Sequence, residues 1–244
     1  MIRPGFVSSE CAVLSMRSSP QPVFLFDLDG TLVDSVYQHV LAWQEALEAI
    51  GVSLPNWFIH RRVGMSGGLV VNSFQQETGR ILSKQEIAKL QQQHRECFLK
   101  RLNEVKRLPG TRELLQTLTK IGIRWAIATS GNRGPAEKLL DLIPVDKGTI
   151  LITRAEVQHA KPDPDLFLAA AERLSANIEQ CVVVGDSIWD LLAARRARAL
   201  GVGLLSGGYG EDELTRAGAY RVYRDPADLL AHLFETGVRP NNSE

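Results

Sequence analysis

The segment Phe24–Ser35, FLFDLDGTLVDS, runs an apolar strand directly into two carboxylates one residue apart. A short strand apolar on both faces belongs inside a parallel sheet covered by helices. In such sheets ligands bind beyond the carboxyl ends of the strands, which is where Asp27 and Asp29 fall. Alternate strand residues share a face, so both acids can project to one side, although a chain leaving its strand at Gly30 need not keep that alternation. Adjacent carboxylates repel unless a cation or proton compensates. The competing interpretation is a plain turn, since Asp, Gly and Thr are ordinary loop residues.

Further apolar runs bounded by turn signals recur along the chain: Arg124–Ala128, Thr149–Ile152, Cys181–Val184 and Val202–Leu205, with Val23–Phe26 as the first. Helical patterns fill the intervals at Thr111–Ile121, Pro135–Leu142, Pro164–Leu174 and Ile188–Leu200, the last expected to stop at Gly201. This alternation predicts an α/β fold with a doubly wound, Rossmann-like parallel sheet. From Val36 to Leu108 no strand is evident, only amphipathic helix patterns. Val36, Val40, Trp43, Leu47 and Ile50 recur at three and four residues, and a Ser83/Glu86 capping box precedes Ile87, Leu90, His94 and Phe98. The expected organisation is therefore a poorly ordered leader over residues 1–20, with Met16 an alternative start. An α/β core follows over 21–35 and 109–244, with an inserted all-helical domain over 36–108.

Three more strand ends carry chemistry. Thr129, Ser130, Gly131 and Asn132 combine hydroxyls with a small-residue turn and a helix start, a pattern suited to binding an anion. Lys161 lies in AKPDPD, a segment stiffened by two prolines. Asp186 and Asp190 lie in GDSIWD, at a strand end and on the first turn of the next helix. Each has a purely structural reading, as a cap, a solvated loop charge or a dipole-favoured acid. Together they place two acid pairs, hydroxyls and a lysine on one rim of one sheet.

Composition narrows the partners. The 244 residues hold 28 Lys plus Arg against 28 Asp plus Glu, a formal net charge of zero. Such a chain is not drawn to nucleic acid or an anionic bilayer by long-range attraction, so neither is expected as a partner. No run approaches the roughly 20 apolar residues of a membrane span. Cys11, Cys97 and Cys181 lack metal-binding spacing and read as reduced thiols of a cytoplasmic protein. No His or Cys cluster competes with the carboxylates as a metal site.

The ordered set DxDxT, Thr, Lys and GDxxxD, spanning Val23–Phe234, resembles the haloacid dehalogenase superfamily, in the branch of phosphoglycolate phosphatases and β-phosphoglucomutases whose helical cap follows the first motif. The resemblance implies a phosphatase for a small phosphate ester such as phosphoglycolate or a sugar phosphate. Asp27 would be the nucleophile that becomes phosphorylated and Asp29 the general acid/base. Thr129, Ser130, Gly131 and Lys161 would bind the phosphate. Mg²⁺ would be held by Asp27, Asp29 through its backbone carbonyl, and Asp186, with Asp190 either a further ligand or an acid standing behind them. Phosphoryl transfer depends on positioning and charge neutralisation, and hard Mg²⁺ needs only a few carboxylates besides water. Dehalogenase members lack the second aspartate, which is present here, and phosphonatases carry a cap lysine, whereas residues 36–82 contain none. A phosphomutase shares every core motif and is the nearest alternative; a non-catalytic phosphometabolite-binding module is a third. A monomer or homodimer is expected.

Substrate choice would fall to the cap. Arg62 or Arg61, beside the loop Gly64–Gly68, could grip a carboxylate or second phosphate bidentately, although an arginine pair at a helix end is more often solvated. His39 and Tyr37 follow the nucleophile loop and face either the cleft or solvent. Trp189 is expected at the edge of the core and Trp43 within the cap.

Overall fold

A computed structural model describes residues 21–143, 145–146 and 148–239; the predicted leader lies outside them. The strands are β1 (Val23–Phe26), β2 (Val33–Asp34), β3 (Lys106–Arg107), β4 (Trp125–Ala128), β5 (Leu151–Ile152), β6 (Cys181–Gly185), β7 (Leu200–Leu204) and β8 (Ala219–Tyr223). The helices are α1 (Val36–Glu48), α2 (Asn56–His60), α3 (Gly67–Thr78), α4 (Lys84–Leu99), α5 (Thr111–Lys120), α6 (Arg133–Leu140), α7 (Asp165–Arg173), α8 (Ile188–Ala197), α9 (Glu211–Ala217) and α10 (Pro226–Ala231).

Six strands form one parallel sheet in the order β5-β4-β1-β6-β7-β8. The chain builds outward from β1 through β4 to β5, then crosses to β6 on the other side and builds outward again. The reversal at β1 opens a crevice at the carboxyl ends of β1 and its neighbours, the place where doubly wound sheets bind ligands.

Strand alternation feeds two apolar layers. Phe24, Phe26, Ile127, Val182 and Val184 pack with Leu114, Leu118 and Leu139. Their neighbours Leu25, Ala126, Ala128 and Val183 face the opposite way, onto Leu166, Phe167 and Ala170 of α7. Burial of β1 on both faces is what its uninterrupted apolarity demands.

Helices α1 to α4 build a separate apolar cluster around Val40, Trp43, Phe58, Phe74 and Leu90. Ser83 caps α4 in a reciprocal capping box with Glu86. The two chain segments joining this unit to the sheet pair with each other as β2 and β3, antiparallel. That pairing includes Lys106–Arg107, inside the stretch expected to be only helical; a two-residue exposed strand carries no readable apolar period.

Three local expectations are corrected. Gly201 does not stop α8: the helix ends at Ala197, Arg198 takes the left-handed conformation at φ 63°, and Gly201 lies inside β7. Val202–Leu205 is not the last parallel strand, because β8 lies beyond it. Strand β8, AYRVY, carries no continuous apolar run because its edge position exposes a tyrosine and an arginine that a central strand would not carry. The loop expected over Gly64–Gly68 also closes earlier, since Gly67 and Gly68 open α3.

Candidate active site at the switch of the sheet

The ends of β1, β4 and β6 deliver the acidic, hydroxyl and small residues to one point, and the loop before α7 brings Lys161 across to them. Asp27, Asp186 and Asp190 are buried, and each offers a carboxylate oxygen within 4.8 Å of the others. Lys161 has 0% exposure. Its ammonium is ion-paired to Asp27 and stands 2.8 Å from Asp190 Oδ1. The other oxygen of Asp190 accepts from the Ser187 hydroxyl at 2.6 Å and the Ser187 amide at 3.1 Å.

Three acids around one ammonium leave excess negative charge. Burial, with Asp190 and Asp29 nearby, lifts the Asp27 carboxyl to about 7 despite the pull of Lys161. Burial, then Asp190 and Asp27, hold Asp186 well above its ordinary value. Burial opposes the charge on Lys161, but Asp190 and Asp27 outweigh it and keep the ammonium protonated. Such a carboxylate excess fits a divalent cation, whose charge would relieve the repulsion that the lysine leaves. The donor set is all oxygen, as a hard cation prefers.

Backbone shape makes room for Asp186. Its Oδ1 accepts from Thr31 Oγ1 at 2.9 Å. A Cβ placed on Gly207 would stand 1.8 Å from its Oδ2, and one on Gly30, where φ is +80°, would stand 2.5 Å away. Only glycine permits both approaches.

Asp29 is turned away from this cluster. Ser35 Oγ donates to its Oδ1 at 2.6 Å, and His39 Nε2 stands 3.2 Å from the same oxygen. Burial would raise its pKa, but His39 and Ser35 overcome that effect and hold it below the usual carboxylate range. Thr129 Oγ1 donates to Asp29 Oδ2 at 3.4 Å and accepts from Gly131 N at 2.9 Å. Ser130 Oγ is buried with no hydrogen-bond partner among the described residues. An orphaned buried hydroxyl at the edge of a cavity is a donor awaiting a ligand.

That cavity, of about 450 Å³, lies between the sheet and the helical unit. Asp27, Asp29, Thr129, Ser130 and Gly131 form its floor. His39, Trp43, His94 and Arg95 reach it from the helical side. His39 Nδ1 meets His94 Nε2 at 3.2 Å, and the His94 ring stacks on Trp43 at 4.0 Å. Burial first, then His39 and Arg95, push the pKa of His94 well below the ordinary imidazole value.

Arg62 is the expected binding residue that the structure does not bring to this point. Its guanidinium lies 3.6 Å over the Phe58 ring and donates to the Phe58 carbonyl at 3.2 Å. Stacking on the preceding helix α2 satisfies it and directs it away from the floor. Arg61 likewise pairs with Glu213 and stacks on Tyr209 at 4.5 Å. Its carbonyl accepts from Trp189 Nε1 and Tyr209 Oη, each at 3.1 Å, which ties the helical unit to the sheet domain. Tyr37 is 56% exposed and stacks on His60. His94 and Arg95 were not singled out as site residues, because His94 fits the helix period of α4 as a core position. A histidine followed by an arginine at that inward position was the available signal.

A family profile of haloacid dehalogenase-like hydrolases matches residues 22–198. The chain is 51% identical to a hydrolase of known structure from Pseudomonas syringae, which superposes with a TM-score of 0.86 over 88% of this chain and 99% of that one. It is 31% identical over 210 residues to the phosphoglycolate phosphatase of Colwellia psychrerythraea, covering 81% of this chain and 90% of the relative. It is 27% identical over 214 residues to the β-phosphoglucomutase of Bacillus subtilis, covering 86% and 92%. The chain belongs to the haloacid dehalogenase-like hydrolase family.

Proposed function

We propose that the protein is a Mg²⁺-dependent phosphatase that hydrolyses a small phosphate monoester through phosphorylation of Asp27. The observation that carries this reading is the convergence of Asp27, Asp186, Asp190 and Lys161 beside a cavity whose floor holds the orphaned Ser130 hydroxyl. Names borne by relatives, a phosphoglycolate phosphatase among them, support the substrate type.

Asp27, Asp186, Asp190 and the backbone carbonyl of Asp29 would hold Mg²⁺, which supplies positive charge to the phosphoryl oxygens. Lys161 provides the second positive charge from within the protein. An Asp27 oxygen bonds to phosphorus as the ester P–O bond breaks, and Asp29 gives its proton to the departing alkoxide. Asp29, then ionised, takes a proton from water. That water oxygen bonds to phosphorus, the Asp27–phosphorus bond breaks, and phosphate leaves. The ionised Asp29 held by Ser35 and His39 corresponds to the second half of this cycle. The Thr129 and Ser130 hydroxyls and the Gly131 amide orient the phosphoryl group, and dividing the transfer into two displacements lowers each barrier.

Asp27→Asn removes the nucleophile while nearly preserving volume. It should abolish Mg²⁺-dependent phosphate release from p-nitrophenyl phosphate; near-wild-type turnover by this variant would overturn the assignment. A phosphomutase would instead hydrolyse slowly and isomerise a sugar phosphate rapidly after priming with the bisphosphate, which a coupled assay distinguishes.

A further inference from the structure

Helix α4 presents Gln91, His94, Arg95 and Phe98 to the cavity, a spacing of i, i+3, i+4 and i+7 that forms one face. Of these, His94 packs its ring on Trp43 at 4.0 Å, whereas Gln91 and Arg95 are polar groups turned inward. Facing that stripe, the cavity wall is apolar, with Trp43, Val63 and Met65 on the helical side and Pro135 and Leu139 on the sheet side. The start of α3 leaves space nearby. A side chain on Gly68 would meet nothing within 4 Å, and one on Gly67 would meet only Gln91 Nε2, at 3.6 Å.

The cations around the cavity are unequal. Lys161 is consumed by Asp27 and Asp190. Arg154 lines the cavity but donates to the carbonyls of Val157, at 2.7 Å, and Gln158, at 3.2 Å. Arg95 lines it with a side chain that has no hydrogen bond or ion pair among the described residues, and is only partly exposed. One guanidinium matches one carboxylate through two parallel hydrogen bonds. A second phosphate dianion would call for more positive charge than Arg95 alone brings. A volume of about 450 Å³ also lies in the range of pockets that enclose ligands well beyond a two-carbon acid.

Resting on the phosphatase reading, we infer that Arg95 determines specificity by pairing with a carboxylate on the leaving alcohol, so that the preferred substrate is the phosphate ester of a hydroxy acid with an apolar side group. The carboxylate meets Arg95 and Gln91, and the apolar group lies against Trp43 and Met65.

The test compares phospholactate, phosphophenyllactate and isopropyl phosphate, the last being phospholactate with methyl in place of carboxylate, on the full chain with Mg²⁺. Wild type should favour phospholactate over isopropyl phosphate at least tenfold in kcat/KM, and phosphophenyllactate over phospholactate. Arg95→Gln should collapse the first ratio toward one, mainly through KM, while leaving the second in place; Arg95→Lys should recover part of the first. A simple loss of structure would lower all three esters together. No carboxylate preference in wild type, or an unchanged ratio in Arg95→Gln, would overturn the inference. If no ester is hydrolysed, the phosphatase reading fails by itself. Tryptophan fluorescence titrations with phospholactate and isopropyl phosphate then decide the Arg95 assignment by the same ratio of affinities.

Discussion

Lys161 Nζ lies 2.8 Å from Asp190 Oδ1, with both side chains about 1% exposed, and the same ammonium pairs with Asp27. A buried ion pair of this kind is weak evidence for net stability, but removing one partner is costly, because the charges that remain are buried without compensation. Lys161→Met should destabilise the metal-free protein by about 3 to 5 kcal/mol. Urea unfolding in chelator measures it, and a loss below about 1 kcal/mol would show that the acids simply take up protons without consequence.

Metal binding should depend on pH with a defined sign. The Asp27 carboxyl in the metal-free protein is raised to about 7, and Asp186 is raised as well. A carboxyl whose folded pKa exceeds its unfolded value binds an extra proton in the folded state, so stability declines as pH rises from the ordinary carboxylate range toward 7. Mg²⁺ must displace those protons at low pH and relieves the repulsion at high pH. The increase in Tm produced by millimolar Mg²⁺ should therefore be larger at pH 8 than at pH 6. An increment that is constant, or larger at pH 6, would contradict the electrostatic account of the cluster.

Gly207→Ala should act on the metal site rather than on the fold. Its Cβ would collide with Asp186 Oδ2 at 1.8 Å, and displacing that carboxylate is the direct way to relieve the clash. The Mg²⁺ concentration for half-maximal activity should rise tenfold or more, with far-ultraviolet circular dichroism unchanged. Unaltered Mg²⁺ activation would mean that Asp186 does not need its observed position.

His94 carries the opposite pH dependence to the carboxylates. Burial, then His39 and Arg95, hold its pKa well below 6.5, so the folded protein keeps it neutral while the unfolded chain protonates it. Its share of stability is complete above the unfolded value and is lost as pH falls below that value. His94→Gln should lower stability at pH 8 through loss of the Trp43 stack, yet lose less on going from pH 7 to pH 5.5 than wild type does. Urea midpoints at the three values test this, and parallel declines would sink it.

Asp27, Asp29 and Asp186 could be found in the linear chain because each follows a short apolar strand. A strand buried on both faces has to end where its polar residues can reach water, so FLFDLDG, AIATSG and VVVGD each announce a strand terminus by composition alone. The helical insert was visible for a similar reason, since α1 and α4 bury stripes of period 3.6. The edge strand β8 and the β2–β3 pair were not, because an exposed or very short strand imposes no pattern on its residues.

Which long side chains face the ligand was beyond such reasoning. Arg61 and Arg62 had the right charge and neighbourhood, but Arg62 folds onto Phe58 and Arg61 onto Tyr209 and Glu213, while Arg95, some thirty residues further along, reaches the cavity instead. A local apolar or polar period decides which backbone segments are strands and where they stop. The rotamer of an arginine, and the glycine cradle that Gly30 and Gly207 form around Asp186 from opposite ends of the chain, depend on packing between distant segments. The central strands and the acids at their ends were therefore determined by sequence, and the edge of the sheet and the shape and charge of the cavity above it only by tertiary structure.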